Sequence, residues 1–469
     1  MKKLLVLFAA LLAFFAQAKP NIVLYFIDDL GWTDVSFMGS KYYETPHVDQ
    51  LSKEGMKFMS AYANAPNCAP SRACLMSGQY GPRHGVYTVG NSDRGKAQFR
   101  KLIPTKNTTV LADRFVTIAE SLQSAGYVTA TMGKWHLGTD PTTQGFDVNI
   151  AGKHWGSPSG GGYHSPYNYP NLVNKEKGEY LTDRLGEEAC KFIEANKDKP
   201  FFLYLSHYAP HTILNGRPDL VAKYRKKHAP GKSTRDRCYL CKDSRHNGDA
   251  LNHWAGDHNP HLAAMLESID DGLGLIIAKL NALGLDENTL IIFTSDNGGE
   301  TNVTSNAPLR GGKSQLYEGG IRVPLIIRWP GETPAGKVSS QPTANVDFYP
   351  TLLKAIGVAP DKKQTLDGVS MLNTWRDPEA APKRAEMYWH YPLEKPHFLG
   401  GRSGGAIRSG SWKLIEFFDT NKVELFHLDS DPSEKTNLAA QRPNKRHELH
   451  TQLIRWRKSV GATKAAPKR

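Results

Sequence analysis

Residues 68–78 combine side chains that suit the binding and attack of an anionic group. Pro70 and Arg72 follow Cys68 at offsets of two and four residues. If a helix begins near Pro70, the Arg72 side chain lies about one turn along it, and the first backbone N–H groups point towards residue 68. A cation and a helix N-terminus both attract negative charge. The segment therefore predicts an anion site beside Cys68.

Two pairs of oxygen-bearing side chains suit a hard metal ion. Asp28 and Asp29 follow one apolar run, and Asp296 and Asn297 follow another. Carboxylate and amide oxygens without a soft ligand favour Ca²⁺ or Mg²⁺ over zinc. A single acidic pair more often caps a helix or forms a turn. Two pairs at the ends of two buried strands favour a metal site, because buried carboxylates need a cation.

Four further basic residues suit the hydrolysis of an ester of an inorganic acid. Lys134 and His136 lie in the segment Gly-Lys-Trp-His-Leu-Gly, His211 follows Pro210, and Lys313 ends the segment Leu-Arg-Gly-Gly-Lys. Cations stabilise the nonbridging oxygens of such an ester, and an imidazole can protonate the leaving oxygen. Most of these residues lie at or just beyond the end of a predicted strand, which favours a functional role over a surface or core role.

Apolar runs that end in polar residues predict the elements that position this chemistry. The runs are Asn21–Ile27, 127–132, 201–205 and 290–294, and helical patterns cover 116–125, 185–196 and 261–283. Near-continuous apolar runs are typical of strands buried on both faces. The alternation predicts an α/β fold with a large, mostly parallel sheet between helices. Ligands of such sheets bind beyond the carboxyl ends of the strands.

The two ends of the chain have their own patterns. Residues 1–18 have a basic start, an apolar run and Ala-Gln-Ala, which predicts a signal peptide and an exported bacterial protein, periplasmic or secreted. No later segment is apolar enough to span a membrane. A catalytic domain is expected over 19–380. Short strand patterns at 405–408, 412–418 and 423–428, with a helix at 447–460, predict a C-terminal α+β subdomain over 381–469.

The net charge narrows the classes of molecule that the protein could bind. The 469 residues carry a net charge of +13, which favours a polyanionic partner. Nucleic acid suits the positive charge, but no nucleic-acid motif is visible, and a sulfated polysaccharide suits the charge as well.

Cys74 is expected to be a small buried side chain. Cys238 and Cys241 are expected to form a local disulfide, with free thiols as the alternative.

These motifs resemble those of type I sulfatases of the alkaline phosphatase superfamily. The resemblance covers nearly the whole chain after residue 18. It is most specific at residues 68–78, where a formylglycine-generating maturase oxidises the cysteine of such enzymes, and Met76 is a small departure from the commoner Leu. It is moderately specific at 133–138 and 309–313.

The resemblance also implies a role for each matching residue. The hydrate of formylglycine 68 attacks sulfur, with Asp296 as the base, and a second hydroxyl allows sulfate to be released, with His136 taking its proton. His211 and Lys313 assist the leaving alcohol, and Arg72 and Lys134 hold negative charge. The implied Ca²⁺ (or Mg²⁺) ligands are Asp28, Asp29, residue 68, Asp296 and Asn297.

The substrate is expected to contact residues outside these motifs, namely His164, His207, His390 and Arg402. His207 and His211 follow the same run, and the Pro-His-Thr context favours His211 as the catalytic one. The C-terminal patterns resemble bacterial polysaccharide sulfatases. That resemblance favours a sulfated galactan such as carrageenan, then a glycosaminoglycan. The alternatives are a phosphonate or phosphate monoester hydrolase and a catalytically silent polyanion-binding protein.

Overall fold

The computed structural model describes residues 19–92, 98, 102–103, 105–227, 257–393 and 399–468. The signal-peptide segment and the Cys238–Cys241 pair lie outside the described residues. None of the described helices is both long enough and apolar enough to cross a membrane.

Sixteen strands and eleven α-helices make up the regular structure of the described residues. The strands are β1 Asn21–Ile27, β2 Met56–Phe58, β3 Ala61–Tyr62, β4 Leu102–Ile103, β5 Val128–Gly133, β6 Val148–Ile150, β7 Phe201–Ser206, β8 Thr289–Ser295, β9 Leu325–Arg328, β10 Val338–Ser339, β11 Thr343–Ala344, β12 Glu386–Tyr391, β13 Gly404–Ser409, β14 Trp412–Phe417, β15 Val423–His427 and β16 Ala466–Pro467. The helices are α1 Pro46–Glu54, α2 Cys68–Ser77, α3 Gly81–His84, α4 Ile118–Ser124, α5 Leu181–Ala195, α6 Pro218–Lys226, α7 Pro260–Ala282, α8 Glu318–Ile321, α9 Phe348–Ala355, α10 Leu372–Arg376 and α11 Pro443–Ser459.

A large mixed sheet forms the centre of the molecule, in the order β10-β2-β9-β8-β1-β7-β5-β6. Strand β1 pairs in parallel with both β7 and β8, and β5 pairs in parallel with β7. The four predicted strands are therefore confirmed, and their carboxyl ends meet at one edge. Only β9 breaks the parallel arrangement, through antiparallel pairing with β8 and β2.

Both faces of this sheet are covered, which explains why its strands have no polar face. Alternate residues of β1 point to opposite sides, as the twofold repeat of a strand requires. Val23 and Tyr25 belong to a core built with α5 and α7, whereas Leu24 and Phe26 belong to a core built with α2, α4 and α9. The predicted helices 116–125, 185–196 and 261–283 correspond to α4, α5 and α7, with ends shifted by up to four residues.

A second, antiparallel sheet of strands β12 to β15 packs with α11, as expected for the C-terminal part of the chain. Strand β12 was not among the predicted strands, and His390, which was expected to contact the substrate, lies in it. The core of this sheet includes Tyr62, Cys74 and Tyr80 from the first part of the chain. Cys74 is fully buried there, which confirms its packing role. The limits 19–380 and 381–469 stay a prediction.

A buried ionic cluster joins the second sheet to the loop that carries Lys313. Lys413 of β14 donates to Glu318 Oε1 at 2.8 Å and lies 2.9 Å from Glu434 Oε1, and all three side chains are shielded from solvent. Glu434 in turn accepts from the Glu318 backbone N–H at 2.6 Å. Arg322 also pairs with Glu318, at 3.3 Å, and Lys413 is the cation that both buried carboxylates share.

Replacing Lys413 by methionine is expected to lower the free energy of unfolding by about 3–5 kcal/mol, the usual effect of removing one partner of a buried ion pair. The Lys413 side chain has no solvent contact, so its loss would leave Glu434 without an ion pair among the described residues and Glu318 with the Arg322 pair alone. Thermal unfolding followed by circular dichroism measures the loss. Lys458→Met, on the exposed surface of α11, is the matched control. Equal melting temperatures for both variants would contradict a stabilising role of the cluster.

Candidate active site

The carboxyl edge of the large sheet gathers the predicted acidic residues. Asp28 and Asp29 follow β1, and Asp296 and Asn297 follow β8. The Asp29 backbone N–H donates to Asp296 Oδ1 at 3.1 Å, and Asn297 Nδ2 donates to Asp29 Oδ1 at 2.7 Å. All four side chains are buried. The alignment of β1 and β8 thus brings together residues nearly 270 positions apart.

Cys68 is the first residue of α2, so the helix begins two residues before the predicted start at Pro70. The Asn67 side chain caps it by accepting from the Cys68 backbone N–H at 3.1 Å. Cys68 Sγ lies 3.8 Å from Asp29 Oδ1. Burial raises the pKa of the Cys68 thiol far above its ordinary value, although Lys134 and Lys313 oppose this effect. The side chain is therefore an uncharged thiol at neutral pH.

Arg72 is held by hydrogen bonds from Nε and Nη1 of its guanidinium. Its Nε donates to Asp296 Oδ2 at 2.9 Å, and Nη1 donates to the Lys134 carbonyl at 2.8 Å and to the Ser206 hydroxyl. The side chain is fully buried. Arg72 therefore fixes a carboxylate and the ends of β5 and β7, and it does not reach the open part of the site.

Two lysines neutralise the carboxylates that follow β1. Lys134 Nζ donates to Asp28 Oδ2 at 2.6 Å, and Lys313 Nζ donates to Asp29 Oδ2 at 2.6 Å. Burial alone would raise the pKa of Asp29, but Lys313, His211 and Lys134 outweigh it and hold that pKa well below its ordinary range. Asp29 is therefore charged at neutral pH.

His211 and His136 supply two neutral imidazoles. His211 Nδ1 lies 2.7 Å from the Thr212 carbonyl, so it carries the proton, and Nε2 accepts from Lys313 Nζ at 3.1 Å. Burial and the nearby Lys313 lower the pKa of His211 to about 3. Burial, with Lys134, holds the pKa of His136 well below its ordinary value. Each ring is therefore uncharged at neutral pH.

The acidic residues form a set that suits a divalent cation. Asp28, Cys68 and Asp296 present ligand atoms within 4.8 Å of one another, as do Asp29, Cys68 and His211. Two buried oxygens, Asp28 Oδ1 and Asn297 Oδ1, accept no hydrogen bond from the protein. A buried acceptor without a partner is unfavourable. A hard cation would satisfy both oxygens, so the donor set fits Ca²⁺ or Mg²⁺.

Cys68 opens onto a cavity of about 290 Å³. Four predicted catalytic residues line it, namely Cys68, His136, His211 and Lys313. Arg72 and Lys134 lie behind its wall. The residues that line it without having been predicted are Asn67, Val89, Gly156, Ser157, Thr212, Glu300 and Leu399.

Two of the unpredicted lining residues directly follow motifs that were recognised. Glu300 comes after Asp-Asn-Gly-Gly, and Thr212 comes after His211. Thr212 Oγ1 donates to Glu300 Oε2 at 3.0 Å across the cavity wall. Their position next to a predicted catalytic motif was the sequence feature from which both residues could have been predicted.

None of the four predicted substrate contacts lines this cavity. His207, predicted to contact the substrate, is fully buried and packs on Tyr25 with ring centroids 5.0 Å apart, so its side chain does not reach the cavity. Its backbone N–H donates to Phe26, which continues the pairing of β7 with β1 and turns the ring into the core.

The side chains of the other three predicted substrate contacts interact with residues outside the cavity. His390 lies near the Thr463 carbonyl at 2.9 Å, Arg402 pairs with Asp419 at 2.8 Å, and His164 packs on Tyr180. Their role in substrate binding remains a prediction without support from the cavity.

Comparison with known proteins agrees with this geometry. The Sulfatase family model matches residues 20–358, and the model described as N-sulphoglucosamine sulphohydrolase, C-terminal, matches residues 312–459. A sulfatase of Formosa agariphila is 33% identical, with 92% of this chain and 86% of the relative covered. N-acetylgalactosamine-6-sulfatase of Mus musculus is 31% identical, with 96% and 82% covered.

A solved structure is similar along almost its whole length. The crystal structure of Ps i-CgsB in complex with k-i-k-neocarrahexaose superposes with a TM-score of 0.74 and 31% identity, and the match covers 93% of this chain and 92% of that one. A family model that spans most of the chain, relatives of this identity and a shared fold lead to one conclusion. The chain belongs to the sulfatase family and is a sulfuric ester hydrolase.

Proposed function

We propose that the protein removes sulfate from a sulfated carbohydrate and that formylglycine made from Cys68 by a maturase is its nucleophile. The observation that carries the proposal is the position of Cys68. Its Sγ lies at the start of α2, in the wall of the cavity and 3.8 Å from a carboxylate of the acidic set. An unmodified thiol with a raised pKa is a poor nucleophile. The formylglycine hydrate supplies an oxygen nucleophile and a second hydroxyl through which sulfate can leave.

The metal would be held by Asp28, Asp29, Asp296 and Asn297 together with residue 68. When bound, Ca²⁺ or Mg²⁺ stabilises negative charge on oxygen atoms of the nucleophile and the sulfate. The lysines keep this carboxylate-rich edge close to neutral, because Lys134 binds Asp28 and Lys313 binds Asp29. An anionic ester can then enter without facing uncompensated carboxylates.

Proton transfer falls to the residues that line the cavity. Lys313 donates a hydrogen bond to the free nitrogen of His211, so the pair can pass a proton to a leaving alcohol oxygen. His136 is neutral and can take a proton from residue 68 when sulfate is released. Arg72 acts by fixing Asp296, to which it donates through Nε at 2.9 Å and with which Nη2 forms an ion pair at 2.8 Å.

For the substrate we favour a sulfated galactan such as carrageenan, with a glycosaminoglycan second. The similarity to Ps i-CgsB, solved with a neocarrahexaose, supports the first, and the N-acetylgalactosamine-6-sulfatase relatives support the second. The positive net charge suits either polyanion. Export to the periplasm or medium would bring the enzyme to such polymers.

The decisive experiment measures inorganic sulfate by ion chromatography. The enzyme, with conversion of Cys68 confirmed by mass spectrometry, is incubated with oligosaccharides of each class and with matched small sulfate and phosphate esters. Sulfate release from one carbohydrate class supports the proposal. Release from neither class contradicts it, and a preference for phosphate or phosphonate esters would favour the alternative hydrolase.

Glu300→Gln is expected to raise KM for a sulfated sugar by about 3–10-fold, because an anionic acceptor in the cavity wall can bind sugar hydroxyls. The Glu300 carboxylate is the acidic side chain among the described residues that line the cavity. A small aryl sulfate has no such hydroxyls, so its KM should stay unchanged. Initial-rate kinetics on both substrates test this, with the exposed Glu287→Gln as the control. Equal changes for both substrates would exclude a role in sugar recognition.

A further inference from the structure

A second cavity, of about 430 Å³, lies beside the candidate active site and carries an excess of positive charge. We call it the basic groove. Arg83, Lys106 and Arg114 line it, and none of the described residues that line it is acidic. Three cations around one cavity attract an anion and repel one another when none is bound.

Two of these cations have no carboxylate partner within the described part of the chain. Lys106 and Arg114 are exposed and belong to no ion pair among those residues, whereas Arg83 pairs with Asp367 at 2.8 Å. Arg114 rests on the ring of Phe115, 4.4 Å from its centroid, which leaves its N–H donors available. Among the described residues, the charges of Lys106 and Arg114 are therefore not neutralised by an ion pair.

The remaining surface of the groove suits a sugar. Tyr87 contributes part of an aromatic ring, and Thr105 and Thr108 are among the polar residues that line it. The Tyr87 ring is steadied by an edge contact with His390, with centroids 5.7 Å apart. An aromatic ring beside several polar side chains offers both an apolar surface and hydrogen-bonding groups to a sugar.

The groove and the active-site cavity share one stretch of backbone. Tyr87 lines the groove and Val89 lines the cavity that contains Cys68. Two residues of extended chain span at most about 7 Å. One polymer can therefore reach both cavities with successive sugar units.

On this basis we propose that the basic groove binds an anionic sugar unit of the same sulfated polysaccharide whose ester lies at Cys68. The proposal rests on the proposed function, since it assigns a second contact for that substrate. It predicts that long sulfated chains bind better than single sulfated sugars, and that the gain weakens at high salt.

The test compares the double variant Lys106→Ala/Arg114→Ala with the wild-type enzyme. KM for carrageenan is expected to rise by about 3–10-fold at low salt, with kcat and the KM for 4-nitrophenyl sulfate unchanged. The matched control is Lys197→Ala/Lys199→Ala, which removes the same charge. Those two exposed lysines precede β7 and so lie at the opposite edge of the sheet.

Two results would overturn the inference. If both double variants raise KM for carrageenan equally, only the net charge of the protein matters. If neither variant changes this KM, the groove is not used. Calorimetric binding of carrageenan to Cys68→Ala chains, with and without the groove substitutions, separates this question from catalysis. If no variant releases sulfate but the groove substitutions still weaken binding more than the control does, the proposed function fails and the groove assignment stands.

Discussion

Replacing Cys68 by alanine is expected to lower kcat for sulfate release by at least about 10⁴-fold, as removal of a nucleophile commonly does. No other described nucleophilic side chain lies at the start of α2 beside Asp29. The fold should tolerate the change, because alanine removes one buried sulfur and leaves the Asn67 cap on the backbone of residue 68. Sulfate release from the preferred oligosaccharide is the measurement, and circular dichroism confirms the fold.

Cys74→Ala is the matched control for this substitution. Cys74 lies on the same helix and is equally buried, but its Sγ contacts His84 at 3.5 Å in the packing layer. Its replacement should change kcat by less than about twofold relative to the wild-type enzyme. It should lower the free energy of unfolding by about 1 kcal/mol, which is typical of a small truncation in the core. Mass spectrometry of the peptide around residue 68 should show a lighter residue in active protein. Full activity of Cys68→Ala, or of protein with only unmodified Cys68, would exclude the formylglycine nucleophile.

Removal of divalent cations is expected to reduce activity by about 10³-fold or more, comparable to the loss of a major electrostatic contribution to catalysis. The donor set contains three carboxylates, and the acceptor oxygens Asp28 Oδ1 and Asn297 Oδ1 have no hydrogen bond within the protein. Chelation would leave those oxygens without a counterpart, so the melting temperature should fall as well. Activity and unfolding are measured after EGTA or EDTA treatment, and Ca²⁺ and Mg²⁺ are then added back separately.

Asn297→Ala tests the same site within the chain. It removes one neutral oxygen and should weaken metal affinity by about 10–100-fold, which a titration of activity against free Ca²⁺ measures. Asp270→Asn is the control, since Asp270 belongs to a different group, with His47 and Asp271, and accepts from backbone N–H groups. An unchanged calcium dependence in Asn297→Ala, or the same shift in Asp270→Asn, would remove Asn297 from the ligand set.

Much of the site could be predicted from the sequence because local patterns determine where a strand ends. The runs before Asp28, Lys134 and Asp296 are buried on both faces, and parallel pairing places their carboxyl ends at one edge. The spacing from Cys68 to Arg72 likewise puts both residues on one turn of helix. The end of a strand and the spacing along a helix are set by residues that are close in the chain. Both could therefore be predicted without knowing which distant residues are in contact.

What the sequence by itself determined is the fold class and the edge of the sheet at which Asp28, Asp29, Asp296 and Asn297 meet. Only the tertiary structure decided which side chains face the open cavity. His207 lies in the core, whereas His211, four residues later, lines the cavity. The difference arises because pairing of the His207 backbone with β1 sets the direction of its side chain. Lys313 meets Asp29 across 284 residues, and that contact depends on how two distant loops pack. Glu300 and the basic groove were missed for the same reason, since a cavity is formed by surfaces that no local pattern brings together.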